Sequence, residues 1–386
     1  MTHNQSLFTP PMVDHDWLKK FLVPGLIAAN PYKIDTTSTP VKLDQNENPW
    51  DWPDSLKDKI IAELRRQPWN RYPSAYADDL ADLIGAQAGL TPGCVLLGPG
   101  SNYLIALVMS TFSKGALASG QAKVVVARPS FALYESHCAY DGIPFHPWPL
   151  DADMEYNTDL LPVLTPGSMV VFASPNNPVG NVLPYALLGK LASKYPDVLF
   201  VGDEAYLEYA KKPYTPLLKN HANILLIRTF SKTLGAAGIR LGYVLGSPPL
   251  IEQLRKLRLP YIVNLFGLVA ARLVLEDSEA QQYFKGIVAK GITERDRVFH
   301  ALTNLAASTA TAAAAGHAFK VVPSEANFLL LKWPDQKSCE RAYRHILEQG
   351  ILIRDVSRGP SLAGCLRVTI GTHEQNDLFL AAIQNA

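Results

Sequence analysis

Short apolar runs, each closing on a turn of small or polar residues, recur through the first two thirds of this chain. Val95-Leu96-Leu97, Val124-Val125-Val126, Met169 to Ala173, Val198 to Gly202 and Ile224 to Ile227 are apolar at successive positions rather than at alternate ones. Continuous runs of that length predict strands buried on both faces, as in a mainly parallel sheet covered by helices. Between the runs the spacing turns helical. Leu56, Ile60, Ile61 and Leu64 predict a helix from Asp54, with Asp54 or Ser55 as its cap, and a second is predicted from about Ala77 to Ala88, ending at Gly89. Another apolar segment, Leu241 to Leu245, follows Arg240. Beyond Pro260 the pattern predicts helices over Leu265 to Glu276 and from about Glu279 to Leu305. Phe328 to Leu331 and Ile351 to Ile353 read as strands flanking a helix from Ser338 to Gln349, and Leu366 to Ile370 as a last strand before a capped final helix.

This pattern divides the chain into an N-terminal arm (1–50), a large α/β domain (51–265) and a smaller α+β domain (266–386). The arm holds one short amphipathic piece near Trp17 to Leu26 and is punctuated by Pro10, Pro11, Pro24, Pro31 and Pro40. It closes on V-K-L-D-Q-N-E-N-P-W, where Asn46, Asn48 and Pro49 stop a short strand; on residue type alone that polar cluster reads as a surface turn. The stretch Ala306 to Ala315 is low in complexity and is assigned only as a helix end or connector.

The candidate chemistry sits at the strand ends. Gly98 to Tyr103 (G-P-G-S-N-Y) joins strand to helix, the arrangement that presents backbone N–H groups to a phosphate, although a plain tight turn explains it as well. Phe131 lies just past a strand, where it stacks on a planar ring or packs in a core. Ser174 to Gly180 (S-P-N-N-P-V-G) is a rigid turn carrying amides, and Asp203 to Tyr206 (D-E-A-Y) places a carboxylate as either a helix cap or the partner of a cationic ring nitrogen. Thr229-Phe230-Ser231-Lys232, then Gly235, Ala236, Ala237, Gly238 and Arg240, put one lysine among hydroxyls, small residues and a guanidinium. A Schiff-base cofactor with a phosphate tail needs that set: lysine for the imine, hydroxyls and arginine for the phosphate, small residues for room. Turns of this kind on one edge of an open sheet make a pocket. Arg354 and Arg367 lie at or in strands, where solvent exposure competes equally with anion binding for either one alone.

Composition narrows the function classes. The chain has 386 residues, is 48% hydrophobic and 18% charged, and carries a net charge of +1, which gives no global field for nucleic acid or an anionic membrane. No uninterrupted apolar run reaches about 18 residues, so no transmembrane helix is predicted. The polar N-terminus lacks the basic-then-apolar order of a secretory signal, and the four cysteines have no C-x-x-C spacing, so a cytoplasmic protein with reduced thiols is expected.

The tracts S-P-N-N-P-V-G, D-E-A-Y-L-E-Y, R-T-F-S-K-T-L-G-A-A-G-I-R-L-G and I-R-D-V-S-R-G-P-S-L-A-G-C-L-R-V-T-I-G-T occur in this order along the chain. Together they resemble the fold-type I pyridoxal-phosphate enzymes, in particular the class II aminotransferases of the histidinol-phosphate branch, over nearly the whole chain. The resemblance implies pyridoxal phosphate held covalently on Lys232, which also moves the substrate proton. It implies Asp203 against the pyridinium nitrogen, Tyr206 and Asn177 as donors to the phenolate oxygen, Phe131 stacked on the ring, and Ser101, Asn102, Ser231 and Arg240 around the phosphate. Tyr72 resembles a tyrosine that reaches the phosphate from a neighbouring subunit, which implies a homodimer with composite active sites. Arg354 and Arg367 resemble the pair that grips the substrate anion, with Asn177 beside them, and Tyr32 a residue of an arm that closes over it. Phe131 departs from the tyrosine common in that branch, and Gly100-Ser101-Asn102-Tyr103 from a more acidic turn.

The reaction so implied is transamination of L-histidinol phosphate, a small-molecule amino donor, with the 2-oxo acid 2-oxoglutarate, by a ping-pong mechanism. Aromatic amino-acid transamination and decarboxylation of the threonine-phosphate type are the alternatives within the fold. A fold-type I sensor domain of a transcription regulator is disfavoured by the near-neutral charge and by the lack of a DNA-binding segment in the sequence.

Overall fold

The chain runs through α1 (His15–Lys19), α2 (Pro24–Ala28), β1 (Val41–Leu43), α3 (Asp54–Arg66), α4 (Asp78–Gln87), β2 (Val95–Gly98), α5 (Ser101–Ala118), β3 (Val124–Arg128), α6 (Leu133–Tyr140) and β4 (Phe145–Pro149). It continues through β5 (Met169–Ala173), α7 (Tyr185–Lys194), β6 (Leu199–Asp203), β7 (Ile224–Thr229), β8 (Gly242–Leu245), α8 (Pro248–Leu257), α9 (Leu265–Glu276) and α10 (Ser278–Thr311). The last elements are β9 (Lys320–Val322), β10 (Phe328–Lys332), α11 (Gln336–Glu348), β11 (Ile351–Asp355), β12 (Cys365–Thr369) and α12 (His373–Gln384). This computed structural model describes residues 10–29, 37–118, 120–311 and 319–385.

Seven strands form one sheet in the order β2-β8-β7-β6-β5-β3-β4. The pairs β7–β6, β6–β5, β5–β3 and β3–β4 are parallel, while β8 runs antiparallel to both its neighbours. Successive residues of a strand face opposite sides of a sheet, so burial on both faces requires apolar residues throughout. Val170 and Phe172 of β5 accordingly enter a core with Leu56 and Ile60 of α3 and Leu80 of α4. Val171 and Ala173 enter the opposite core with Leu104 and Val108 of α5 and Tyr134 of α6. Each such valine, leucine, isoleucine or phenylalanine, fully buried, contributes about 2 kcal/mol. The predicted architecture, a mainly parallel α/β sheet with helices on both faces, is observed.

The second sheet has five strands, ordered β1-β11-β12-β10-β9. β1, predicted at the end of the arm, pairs in parallel with β11 and so joins this sheet. β11 and β12 are antiparallel, with Arg354 directly opposite Arg367. Residues opposite each other across a ladder share a face, so register alone brings the two guanidiniums together.

Some details differ from the sequence reading. The amphipathic piece near Trp17 is two short helices, because Pro24 starts the second at its first turn. Neither Asp54 nor Ser55 caps α3; the cap position is Pro53, with no side-chain hydrogen bond. α10 extends through residue 311, into the alanine-rich stretch, whose last residues fall outside those described. β4 and β9 were not foreseen. β4 carries Pro147 and Pro149, which lack the N–H of a central strand, and it lies at a sheet edge where that lack is tolerated. The final helix is capped as expected: Thr372 Oγ1 accepts from Gln375 N and Gln375 Oε1 accepts from Thr372 N, at 3.3 and 3.0 Å. Among the described residues no helix is long and apolar enough to cross a membrane.

Glu294 ties α10 to α12, accepting from Asn376 Nδ2 at 2.9 Å and from Arg297 at 2.8 Å, with His373 Nδ1 2.9 Å away. Burial pushes its carboxyl up, but the hydrogen bonds from Arg297, His373 and Asn376 outweigh burial and bring it down from 4.5 to about 2. A depressed carboxyl stabilises the fold fully above its unfolded value, and that contribution is lost as pH falls through the folded one. Acid unfolding followed by circular dichroism should therefore show a component between about pH 4.5 and 2 that Glu294→Gln abolishes. An unchanged acid limb in that variant would contradict the assignment.

Candidate active site

The carboxyl ends of the parallel strands converge on a cavity of about 340 Å³. Asp203 is the last residue of β6, in register with Ala173 of β5 and Ile227 of β7, and is 5% exposed. Its Oδ2 accepts from Tyr134 Oη at 2.7 Å and its Oδ1 from Ala205 N at 3.0 Å. Burial pushes its carboxyl up to about 6, against the pull of those two donors. Asp203 thus caps no helix, and among the described residues it makes no salt bridge; it is a buried acid on the wall of a cavity.

Lys232, just beyond β7, lines the same cavity and donates from Nζ to Gln45 O at 2.7 Å. Burial strips water from its ammonium, and the like charges of Arg367 and Arg240 add to that, lowering its pKa to about 8. An amine so tuned is a usable nucleophile and proton carrier near neutrality.

Arg240 reaches the cavity from the approach to β8, in the left-handed conformation at φ 59°. Its Nη1 lies 3.4 Å from Ser231 Oγ and 3.0 Å from Ala237 O. Ser101 and Asn102, at the start of α5, line the cavity beside it. Gly100 has φ +91°, which L side chains rarely adopt, and a Cβ there would stand 2.7 Å from Arg240 Nη2, so an added side chain would strain the turn and push the guanidinium aside. Gly100→Ala should displace Arg240 and weaken retention of an anion in the cradle by about ten-fold, the equivalent of one charge-assisted hydrogen bond. Equilibrium dialysis against the phosphorylated cofactor reads this, and unchanged affinity would contradict it.

The small residues after Lys232 serve the expected purpose only in part. Ala237 lines the cavity, but Gly235 (φ +58°) packs against the segment after β1, where an added Cβ would meet Trp50 O at 3.4 Å and Asn48 Cβ at 3.5 Å. That segment is not the surface turn its residue types suggested. Asp44 and Asn46 are each 1% exposed. Asn46 donates from Nδ2 to Tyr206 Oη at 2.9 Å and from its backbone N–H to Thr369 Oγ1 at 2.9 Å, which ties Tyr206 to β12. Tyr206 packs edge-on against Phe328 and lines the cavity.

On the remaining side Phe131 and Asn177 line the cavity with Arg354 and Arg367. Arg367, 7% exposed, donates to Asn177 Oδ1 at 2.6 Å and to Asp44 O. This commits the Asn177 amide oxygen and leaves its NH2 as the group that can donate into the cavity. The two arginines are therefore pocket residues and not exposed strand ends. Tyr72 does not line the cavity of its own chain; it is 80% exposed and stacks on Tyr261 at 4.5 Å. Tyr32 lies outside the described residues. The sequence reading passed over Tyr134, Asn46 and the Gln45 carbonyl. For Tyr134 a signal existed, because it follows Phe131 by three residues and so shares its side of the turn into α6.

A buried acid, a low-pKa lysine, Arg240 beside a glycine turn, and the pair Arg354 and Arg367 line one cavity of an α/β sheet, an arrangement suited to group transfer on an anionic substrate. The model for aminotransferases of class I and II matches residues 38–383, and the chain belongs to that family. It is an aminotransferase. Among its relatives is the histidinol-phosphate aminotransferase of Deinococcus radiodurans, 34% identical over 91% of this chain and 92% of that protein. The histidinol-phosphate aminotransferase of Thermococcus gammatolerans is 32% identical over 92% of this chain and 94% of that one. Among solved structures, the histidinol-phosphate aminotransferase of Sinorhizobium meliloti in complex with pyridoxal-5'-phosphate superposes with a TM-score of 0.75 at 25% identity, covering 90% of this chain and 91% of that chain.

Proposed function

We propose that the protein carries pyridoxal phosphate on Lys232 and transfers an amino group from L-histidinol phosphate to 2-oxoglutarate. The observation that carries this reading is that Lys232, Asp203 and the Arg354–Arg367 pair line one cavity. The donor set fits the cofactor: a buried acid for a basic ring nitrogen, a lysine for a carbonyl, and a Gly100–Arg240 cradle for a phosphate. When bound, the cofactor supplies the carbonyl that receives the amino group and the electron-withdrawing ring that makes the substrate α-proton acidic.

The chain's own groups do the rest. Ser101, Asn102, Ser231 and Arg240 hold the cofactor phosphate, and Phe131 covers one face of the ring. Asp203 holds a proton at the ring nitrogen, while Tyr206 Oη and Asn177 Nδ2 donate to the ring oxygen. Lys232 Nζ, neutral in useful fraction near pH 8, would take the substrate α-proton and deliver it to the cofactor's carbonyl carbon, two atoms away across the amino nitrogen. Arg367, braced by Asn177 and the Asp44 carbonyl, presents a fixed guanidinium to the substrate anion, with Arg354 opposite it on β11. Two facing guanidiniums suit a phosphate monoester in one half-reaction and a dicarboxylate in the other.

The assembly is a cytoplasmic homodimer in which Tyr72 reaches the neighbouring subunit's cofactor phosphate. Tyr72, Tyr261, Leu259 and Phe266 are exposed aromatic and aliphatic side chains that a second subunit would cover. The test is a substrate panel on cofactor-loaded protein: histidinol phosphate beside phenylalanine, tyrosine, aspartate and phosphothreonine. The expected result is at least about a hundred-fold higher kcat/KM for histidinol phosphate, equivalent to two charge-assisted contacts. Preference for an aromatic amino acid, or carbon dioxide release without an oxo acid, would overturn it.

A further inference from the structure

We propose that Tyr134 is a positioning residue for the reaction: its hydroxyl, bonded to the Asp203 carboxylate, keeps that carboxylate ionised and oriented so that the proton it shares with a ring nitrogen stays on the ring. This inference rests on the cofactor assignment above.

Tyr134 is 0% exposed, on the first turn of α6, three residues beyond Phe131 and edge-on to it at 5.8 Å. One short helix start therefore carries both the residue assigned to the ring face and the residue that touches the acid. The hydrogen bond at 2.7 Å has one possible direction at neutral pH, because an ionised carboxylate only accepts. Burial, with the Asp203 charge beside it, pushes the phenol well above its ordinary range, so Tyr134 remains a donor.

What makes that donor matter is that, among the described residues, no cation acts on Asp203. The groups that bear on the carboxyl, after burial itself, are Tyr134, the Ala205 N–H and the like charge of Glu204. Tyr156 and Tyr206 face the Tyr134–Asp203 pair from other segments, and burial pushes the Tyr156 phenol well above its ordinary range. Burial and Glu204 favour the protonated acid, and only two donors oppose them. The Ala205 N–H is backbone and belongs to every sequence at that turn. Tyr134 is the side chain that sets the balance. Without its hydroxyl the acid becomes more basic, the shared proton moves onto Asp203, and the ring loses the positive charge that makes it an electron sink.

Tyr134→Phe keeps the ring packing and removes the donor. Two readouts separate positioning from packing. In the cofactor-free protein, carboxyl-labelled Asp203 titrated by carbon-13 NMR should have its midpoint raised by about one pH unit or more in the variant, a ten-fold change in acidity. In protein loaded with pyridoxal phosphate labelled with nitrogen-15 in the ring, the native signal should be that of a protonated nitrogen at neutral pH, and the variant's that of an unprotonated one. Identical titrations and identical ring signals, with only a lower melting temperature in the variant, would overturn the proposal and leave Tyr134 a core residue. If Tyr134→Phe does not fold, Tyr134→3-fluorotyrosine keeps the shape with a stronger donor and should lower the Asp203 midpoint; an unmoved midpoint overturns the proposal. Native protein that takes up no cofactor would refute the functional reading instead, and the cofactor-free titration would still decide the role of Tyr134.

Discussion

Lys232→Ala should lose turnover by about 10⁴-fold or more while the protein stays folded, because one nitrogen is both the nucleophile and the proton carrier. The substitution removes an amine whose single hydrogen bond described here runs to Gln45 O, so little of the fold depends on it. With its pKa lowered from 10.5 to about 8, Lys232 is neutral in roughly one molecule in ten at pH 7. An ordinary lysine would be neutral in fewer than about one in a thousand. Replacing the side chain discards that tuned amine, and water cannot substitute at the same geometry. The measurement is single-turnover kinetics, with and without a small primary amine such as methylamine. Partial rescue by the free amine is expected, since it restores the proton carrier without the tether. A variant that keeps more than about a hundredth of native turnover would place the chemistry elsewhere.

Asp203→Asn is expected to have the second-largest effect: a loss of about 10³-fold in kcat with the cofactor still retained. The amide preserves shape, and with its single oxygen turned to Ala205 N its NH2 can donate to Tyr134 Oη; in the native protein those two groups bond different carboxylate oxygens at 3.0 and 2.7 Å. It cannot hold a proton at a ring nitrogen by opposite charge. The proposed phosphate cradle of Ser231 and Arg240 and the proposed link through Lys232 are untouched, so retention and reactivity should separate. Cofactor content by absorbance, set beside kcat, makes that comparison. Near-native kcat in a cofactor-loaded variant would contradict the pairing.

How much of this was legible in the sequence depended on whether the signal was local. The strand ends declared themselves, because a continuous apolar run followed by Asp203, or by Ser231 and Lys232, needs no distant partner to be recognised. Register, by contrast, is a property of two segments. Nothing near Arg354 in sequence says that it stands opposite Arg367, yet that pairing sets two ambiguous arginines side by side on the wall of one cavity. The polar cluster around Asn46 was misread for the same reason. Its backbone N–H donates to Thr369, 323 residues away, and its amide to Tyr206, 160 residues away. Those partners turn a run of turn-forming residues into a buried wall. Gly235 was assigned room for a ligand, whereas the room is for Asn48 and Trp50, contacts that exist only once the arm has folded back. Tyr134 was concealed differently: a tyrosine on a short helix reads as core, and only the position of its hydroxyl against Asp203 gives it a further role.

Which lysine carries the cofactor decides the assignment of the site. Protein saturated with pyridoxal phosphate, reduced with borohydride and mapped by peptide mass spectrometry should carry the reduced cofactor on Lys232 in native protein and on no residue in Lys232→Ala. Cofactor fixed to any other lysine, or native protein that retains nothing after reduction, would contradict it.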